Sequence, residues 1–441
     1  MSEVLKKARE AREAALELAK LPLRVRNRAL LRIARAIERS EKQLLEANAL
    51  DVRKGERMVK RGELTAATLQ RLKLSPSKVR AVAEMVRSVA GLPDPLGRTV
   101  YAMEMDRGLE VYKITCPIGV VGVVFEARPD VLPQIAALCL KSGNAVIMKG
   151  GREATHSNRA FYQLIRREAE AAGVPRGWIQ LIEARREVRE LLKLDQYVDL
   201  LIPRGSKSFI QYVQANTRIP VLGHAEGVCH VYVDERANLS KALRICYDAK
   251  VQYPAVCNAA ETILVHSAVA DRFLQALGEL YKKAGVEIRG CPRTRRIIGW
   301  AKAATEADWK AEYLDLVVSI RVVDSLQEAI QHINRYGSGH TDAIVTENTR
   351  AALEFVESVD SSSVMVNTST RFSDGYRYGL GAEVGISTTK IHARGPVGLE
   401  GLTTTKYVVV GDGHVVSDYL GDRARRFTHR PIRKEWAEAL R

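Results

Sequence analysis

The 441-residue sequence contains no apolar run near the roughly 18 residues that a membrane-spanning helix needs, so a transmembrane protein is not expected. Its opening, MSEVLKKAREAREAALELAK, is charged throughout and lacks the apolar core of a secretory leader; a cytoplasmic location is expected. Cysteine is scarce. The six residues Cys116, Cys139, Cys229, Cys246, Cys257 and Cys291 include no C-x-x-C pair, and no His-x-x-x-His accompanies them. That excludes a disulfide framework and a local zinc motif, so no metal is expected. Both standard phosphate fingerprints, G-x-G-x-x-G and G-x-x-x-x-G-K-[ST], are absent, as are internal repeats and low-complexity tracts.

Present instead is an excess of positive charge, +16 from 68 Lys and Arg against 52 Asp and Glu. The basic residues are interleaved with acidic ones on helical segments such as RVRNRALLRIARAIERSEKQ, the pattern of a solvated helix face. A nucleic-acid binder stays open on charge alone, and so does an enzyme of phosphorylated anions.

From Ser2 to about Ala90, apolar residues recur every three or four positions (Ala29, Leu30, Ile33, Ala34, Ile37), which predicts packed amphipathic helices. GLPDP breaks the pattern, and TVYAMEMDRGLEVYKITCPIG then alternates like a hairpin. GVVGVVFEARP, the helical DVLPQIAALCLKSG and NAVIMKGG make strand, helix, strand. Continuous β-branched runs predict a parallel sheet covered on both faces. Further units follow through IQLI and VDLLIP, giving an open α/β domain whose ligand crevice lies at the carboxyl ends of its strands. A second α/β region runs from Cys257 to about Thr404, and KYVVVGDGHVVSDYL alternates like a further strand pair.

Three local patterns bear chemistry. In PRGSKSF, Gly205 and Ser206 lie between a strand and a helix. Ser206 is either a plain helix cap or, with Gly205, part of an anion site made of backbone N–H groups. Lys149 ends NAVIMKGG, as a solvated edge residue or as a cation at a cofactor ribose or 2'-phosphate, with Arg152 nearby. Cys257, in PAVCNAAET, is a packed core thiol or a nucleophile; the small Ala255, Ala259 and Ala260 leave room for a ligand.

CPIGVVGVV, GNAVIMKGG, PRGSKSF, PAVCNAAETILV, EYLDLVVSIRVVDSLQEAI, GSGHTDAIVTEN and VMVNTSTRFSDG follow one another in an order that resembles the aldehyde dehydrogenase superfamily. The resemblance covers about Ser2 to Asp412 and is most specific in GYRYGLGAEVGISTTKIHARGPVGLEGLTTTKY. It implies that Cys257 is the catalytic cysteine, that Lys149, Gly205 and Ser206 bind the cofactor, and that Glu312 of EYLD holds the nicotinamide ribose. It implies an α/β, aldehyde dehydrogenase-like fold: a Rossmann-like cofactor domain (1–97 and 117–233), an α/β catalytic domain (234–404), a β oligomerisation arm (98–116 and 405–420) and a polar tail (421–441). The arm implies a homodimer or homotetramer. The implied reaction is NADP(H)-dependent reduction of L-glutamyl 5-phosphate to L-glutamate 5-semialdehyde, a step of proline biosynthesis, with glutamate 5-kinase as functional associate.

Two departures sharpen this. Hydrolytic members carry a water-activating glutamate in an ELGGK-like motif, where this chain has LGHAEGVCH; Glu226 is near but does not align. In place of their PWN asparagine stands EARPD, with Arg128. Lack of a water-activating base favours reduction over thioester hydrolysis. Arg128 and Asn367, with Ser369 and Arg371, are substrate candidates by loop position. The alternatives are a hydrolytic aldehyde dehydrogenase and a basic scaffold that has lost catalysis.

Overall fold

The computed structural model describes residues 2–126, 128–224 and 226–440. Helices Glu3–Leu18, Leu23–Arg39, Glu41–Lys60, Ala66–Leu72 and Pro76–Gly91 precede the first strand. Three of them start on side chains that accept from the first turn: Ser2 from Leu5 N, Thr65 from Thr68 N and Ser75 from Lys78 N. The apolar stripe of Leu23–Arg39, with Ala29, Leu30, Ile33, Ala34 and Ile37, packs on helices Pro76–Gly91, Val131–Lys141 and Thr155–Glu170, in one core with Val121, Val123, Val146 and Met148 of a small sheet.

That sheet has four strands in the order Ile179–Ile182, Ala145–Lys149, Val120–Val124, Leu200–Pro203, all parallel. Helices Val131–Lys141 and Thr155–Glu170 cover one face, and Glu3–Leu18 with Arg185–Leu191 covers the other through Val120, Val124, Ala145 and Ile147, as the two-faced apolar runs predict. A second, seven-stranded parallel sheet has Cys229–Val233 and Ala260–His266 side by side near its centre, flanked by Thr341–Val345 on one side and Val317–Val323 on the other.

The expected boundaries need two corrections. Cys229–Val233 was expected on the cofactor side of a break at 233/234, but it hydrogen-bonds within the larger sheet, so the crossover precedes Cys229. Part of 234–404 returns to the smaller sheet, where Ala382, Val384, Val397, Leu399 and Leu402 join the core.

The hairpin forms from Thr99–Asp106 and Leu109–Pro117, and Thr403–Val410 pairs antiparallel with its second strand. The strand pair expected from KYVVVGDGHVVSDYL is half right. After Gly411 and Gly413 the chain makes only a short turn, Val416–Tyr419, pinned by the Tyr419 hydroxyl donating to Asp106 at 2.9 Å. The tail is not peripheral. Arg430–Pro431 adds to Thr99–Asp106, Ile432 and Trp436 pack on Ala102, Tyr112 and Ile114, and the Trp436 indole donates to the Gly97 carbonyl at 3.0 Å.

Candidate active site

Cys257 lies in the turn between the helix Leu239–Val251 and the strand Ala260–His266. Both ends of that turn are fastened by one buried contact. Lys250, on the last turn of the helix, donates to Glu261, the second residue of the strand, at 2.6 Å, and neither side chain is exposed. Burial pushes the Glu261 carboxyl up to about 7 against the pull of Lys250, and pushes the Lys250 ammonium down. The Asn258 amide donates to the Ser373 carbonyl at 2.7 Å, and the Cys229 thiol donates to the Cys257 carbonyl at 3.1 Å. Gly227 passes so close that a Cβ there would lie 2.0 Å from that same carbonyl oxygen, so only glycine fits. Half-buried, with the buried Ala259 and Ala260 beside it, Cys257 sits in a turn that is rigid yet reachable.

The groups around the thiol come from distant segments. Ring nitrogens of His224 and His340 lie within 4.8 Å of the Cys257 sulfur and of each other. Burial lowers the His224 pKa, and its Nδ1 is 2.7 Å from the Ile386 carbonyl. Arg204 and Arg371 are close enough to feel the Cys257 charge. Arg371 is buried and donates to Gln252 at 3.0 Å. Arg204 also feels Arg128 and Glu383, and its Nη1 is buried without a hydrogen-bond partner. Burial raises the Glu383 pKa while Arg204 pulls it down, and Glu383 accepts from Gly375 N at 2.8 Å.

Glu312 lies beside the cysteine turn. It accepts from Gly227 N at 2.8 Å, one contact from the Cys257 carbonyl, and burial raises its pKa. Farther along the crevice, a cleft of about 850 Å³ opens at the carboxyl end of the small sheet, lined by Lys149, Phe125, Ser206, Phe209 and the cations Arg152 and Arg185. Burial lowers the Lys149 pKa while Glu153 raises it. Ser206 caps the helix Lys207–Ala215 by accepting from Phe209 N, the plain reading, and also faces the cleft. Gly205 is exposed, and a Cβ there would crowd the Glu126 carboxyl at 3.1 Å.

Several expectations shift. Asn367 is a backbone clamp: its amide accepts from Thr346 N and donates to the Thr346 carbonyl, which fixes its orientation. Ser369 similarly accepts from Arg371 N. Arg128 pairs with Asp130 at 2.9 Å but remains in the charged group around Arg204. Glu226 is held by Lys207 at 2.7 Å. His224, His340, Arg204 and Glu383 were not anticipated. Arg204 directly precedes the Gly-Ser turn, and His224 lies inside LGHAEGVCH, the segment marked by its missing glutamate.

Residues 1–294 and 306–408 match the aldehyde dehydrogenase family. Gamma-glutamyl phosphate reductase of Natronomonas pharaonis is 57% identical over 97% of this chain and 97% of its own length. The protein of the same name from Methanosarcina acetivorans is 51% identical, again over 97% of each. The crystal structure of gamma-glutamyl phosphate reductase from Thermotoga maritima superimposes with a TM-score of 0.90 at 42% identity, covering 94% of this chain and all of that one. Glyceraldehyde-3-phosphate dehydrogenase GapN from Methanocaldococcus jannaschii, at 17% identity and a TM-score of 0.68 over 93% of this chain and 94% of its own, shares the fold alone.

Proposed function

The chain belongs to the aldehyde dehydrogenase family, and from that membership we propose that it reduces L-glutamyl 5-phosphate to L-glutamate 5-semialdehyde and phosphate in proline biosynthesis. The observation that carries this reading within the site is Arg204. A buried guanidinium nitrogen without a partner beside a reachable cysteine suits an anionic group, and an acyl phosphate bears one next to the carbonyl to be attacked. Arg371 and Arg128 supply further positive charge for the phosphate or the substrate's carboxylate.

Cys257 attacks the acyl carbon, the C–O bond to phosphate breaks, and an acyl thioester forms on the sulfur. Glu312, anchored to Gly227, would hold the nicotinamide ribose, and Lys149 and Ser206, which line the cleft, with the adjoining Gly205 would hold the remainder of the dinucleotide. The bound cofactor supplies the hydride that reduces the thioester to a thiohemiacetal. Breaking the C–S bond then releases the aldehyde and returns the thiolate. The cleft fits a dinucleotide in volume; its lining mixes Lys149, Arg152 and Arg185 with Glu63, Glu126, Glu153 and Glu183, and the three cations are the groups that would meet the extra phosphate of NADP(H).

No helix among the described residues is long and apolar enough to cross a membrane. A cytoplasmic setting, assembly through the β-arm as a dimer or tetramer, and cooperation with glutamate 5-kinase complete the proposal. The test is the reverse reaction with semialdehyde, phosphate and NADP. NADPH formation that requires phosphate and is lost in Cys257→Ala supports the reading. Phosphate-independent turnover overturns it and assigns His224 as a base that serves water.

A further inference from the structure

Two imidazoles converge on the one reachable thiol of the crevice, and a single hydrogen-bonded Cys–His contact would need only one. His224 is fixed in one tautomer: the Ile386 carbonyl only accepts, so Nδ1 carries the proton and Nε2 presents a lone pair. In His340, Nδ1 lies 2.9 Å from the Thr341 hydroxyl, while Nε2 is buried with no partner in a residue of 0% exposure. Each ring is thus held at Nδ1 by a carbonyl or hydroxyl, the arrangement that orients metal-binding histidines through their outer nitrogen.

The ligand atoms lie within 4.8 Å of one another, and the corners of a tetrahedral zinc site stand about 3.5 Å apart. Closing the difference takes about 1 Å of side-chain movement, by rotation of Cys257 about χ1 and adjustment of the two rings, while the backbone of the turn stays fixed. Cys229, whose thiol donates to the Cys257 carbonyl, also lies 3.7 Å from His340 Nδ1, the nitrogen opposite the free Nε2, and so stays outside the set. The charge around the three ligands is mixed: Glu312 and Glu383 favour a cation at His224 and Arg204 opposes it, while Arg204 and Arg371 both face Cys257 and favour its thiolate.

We propose that His224, Cys257 and His340 form a binding site for a borderline-soft divalent cation of the zinc class, and that its occupation blocks the nucleophile. The S–H bond of Cys257 breaks, a sulfur–zinc bond forms and the proton goes to solvent, with no change of oxidation state. The two histidines supply neutral nitrogen donors, and the fourth position is left to water. Such a site is a reversible brake: it occupies the lone pair that attacks the substrate and is relieved by a chelator.

The experiment uses the full chain in metal-buffered Zn²⁺, reading bound zinc by equilibrium dialysis and the rate of Cys257 alkylation by iodoacetamide through peptide mass spectrometry. The expected result is one zinc per chain, with alkylation slowed about tenfold or more and restored by EDTA. His224→Gln and His340→Gln should each weaken zinc binding about tenfold or more while their metal-free alkylation persists. Equal alkylation with and without zinc in wild type, or unaltered zinc affinity in both histidine variants, overturns the proposal. Should a histidine variant fail to fold, Cys257→Ser decides: retention of wild-type zinc affinity is fatal to the site. None of these readouts uses turnover, so the zinc site and the proposed reaction stand or fall separately.

Discussion

The two walls of the crevice handle charge differently. Around the cofactor cleft on the small-sheet wall, charged groups are in reach of water: Lys207 pairs with Glu226 across half-exposed side chains, and Lys149, Arg152 and Arg185 border an open cleft. On the large-sheet wall they are sealed, with Lys250 and Glu261 wholly buried, as are His230 and Asp342, whose ring nitrogen and carboxylate are 2.7 Å apart. A cofactor must come and go, so its ligands remain solvated and adaptable. A nucleophile must be found in one place at every turnover, so its frame is locked by contacts that are costly to leave half-made.

The sharpest way to separate the walls is Cys257→Ala. Phosphate-dependent turnover should fall about 10³-fold or more, while dinucleotide affinity, measured by fluorescence titration, changes less than about twofold. A parallel collapse in cofactor binding would merge the two walls into one unit. Next in size is Lys250→Met, which strands a buried carboxyl; urea unfolding should register a loss of about 3–5 kcal/mol. The equivalent cut on the open wall, Lys207→Ala, should stay under about 1 kcal/mol, and similar losses for both would erase the contrast.

Acid should act on the sealed wall first. His332 is buried, Arg321 donates to its Nδ1 at 3.1 Å, and burial together with His230 and the nearby arginines holds its pKa down to about 2. The folded state therefore refuses a proton that the unfolded chain accepts below about pH 6.5, so stability falls as pH drops. Urea unfolding at pH 5 against pH 7 should show a loss of about 2 kcal/mol from this residue, absent in His332→Gln. Lys149→Ala should act on cofactor affinity alone: KM for NADP should rise about tenfold with kcat little changed, and an equal rise for NAD would remove Lys149 from 2'-phosphate recognition.

Most of the framework was legible because its signals are local. IQLI is a strand over those same four residues, and the helices before Gly91 follow their apolar period. Cys257 was legible as a candidate because its small neighbours and following strand are contiguous with it. His224, His340 and Arg204 were not, since three separate crossovers bring them together and no spacing records that. Cys229–Val233 was assigned to the wrong sheet for the same reason: a fully apolar strand states that it is buried, not beside which partners. Asn367 looked like a substrate ligand because loop polarity is ambiguous, and its two bonds to Thr346 appear only in three dimensions.

The C-terminal segment Arg430–Pro431, hydrogen-bonded along Thr99–Asp106, gives the arm a polarity. It leaves Thr403–Val410 as the other edge of that sheet, with Tyr407 and Val409 exposed, while Pro431 offers no N–H on its own side. Arg430–Pro431 covers only Met103 and Glu104 on its side, so Thr403–Val410 is the longer open border. Two copies that met there about a twofold axis would consume each other's border and close as a pair.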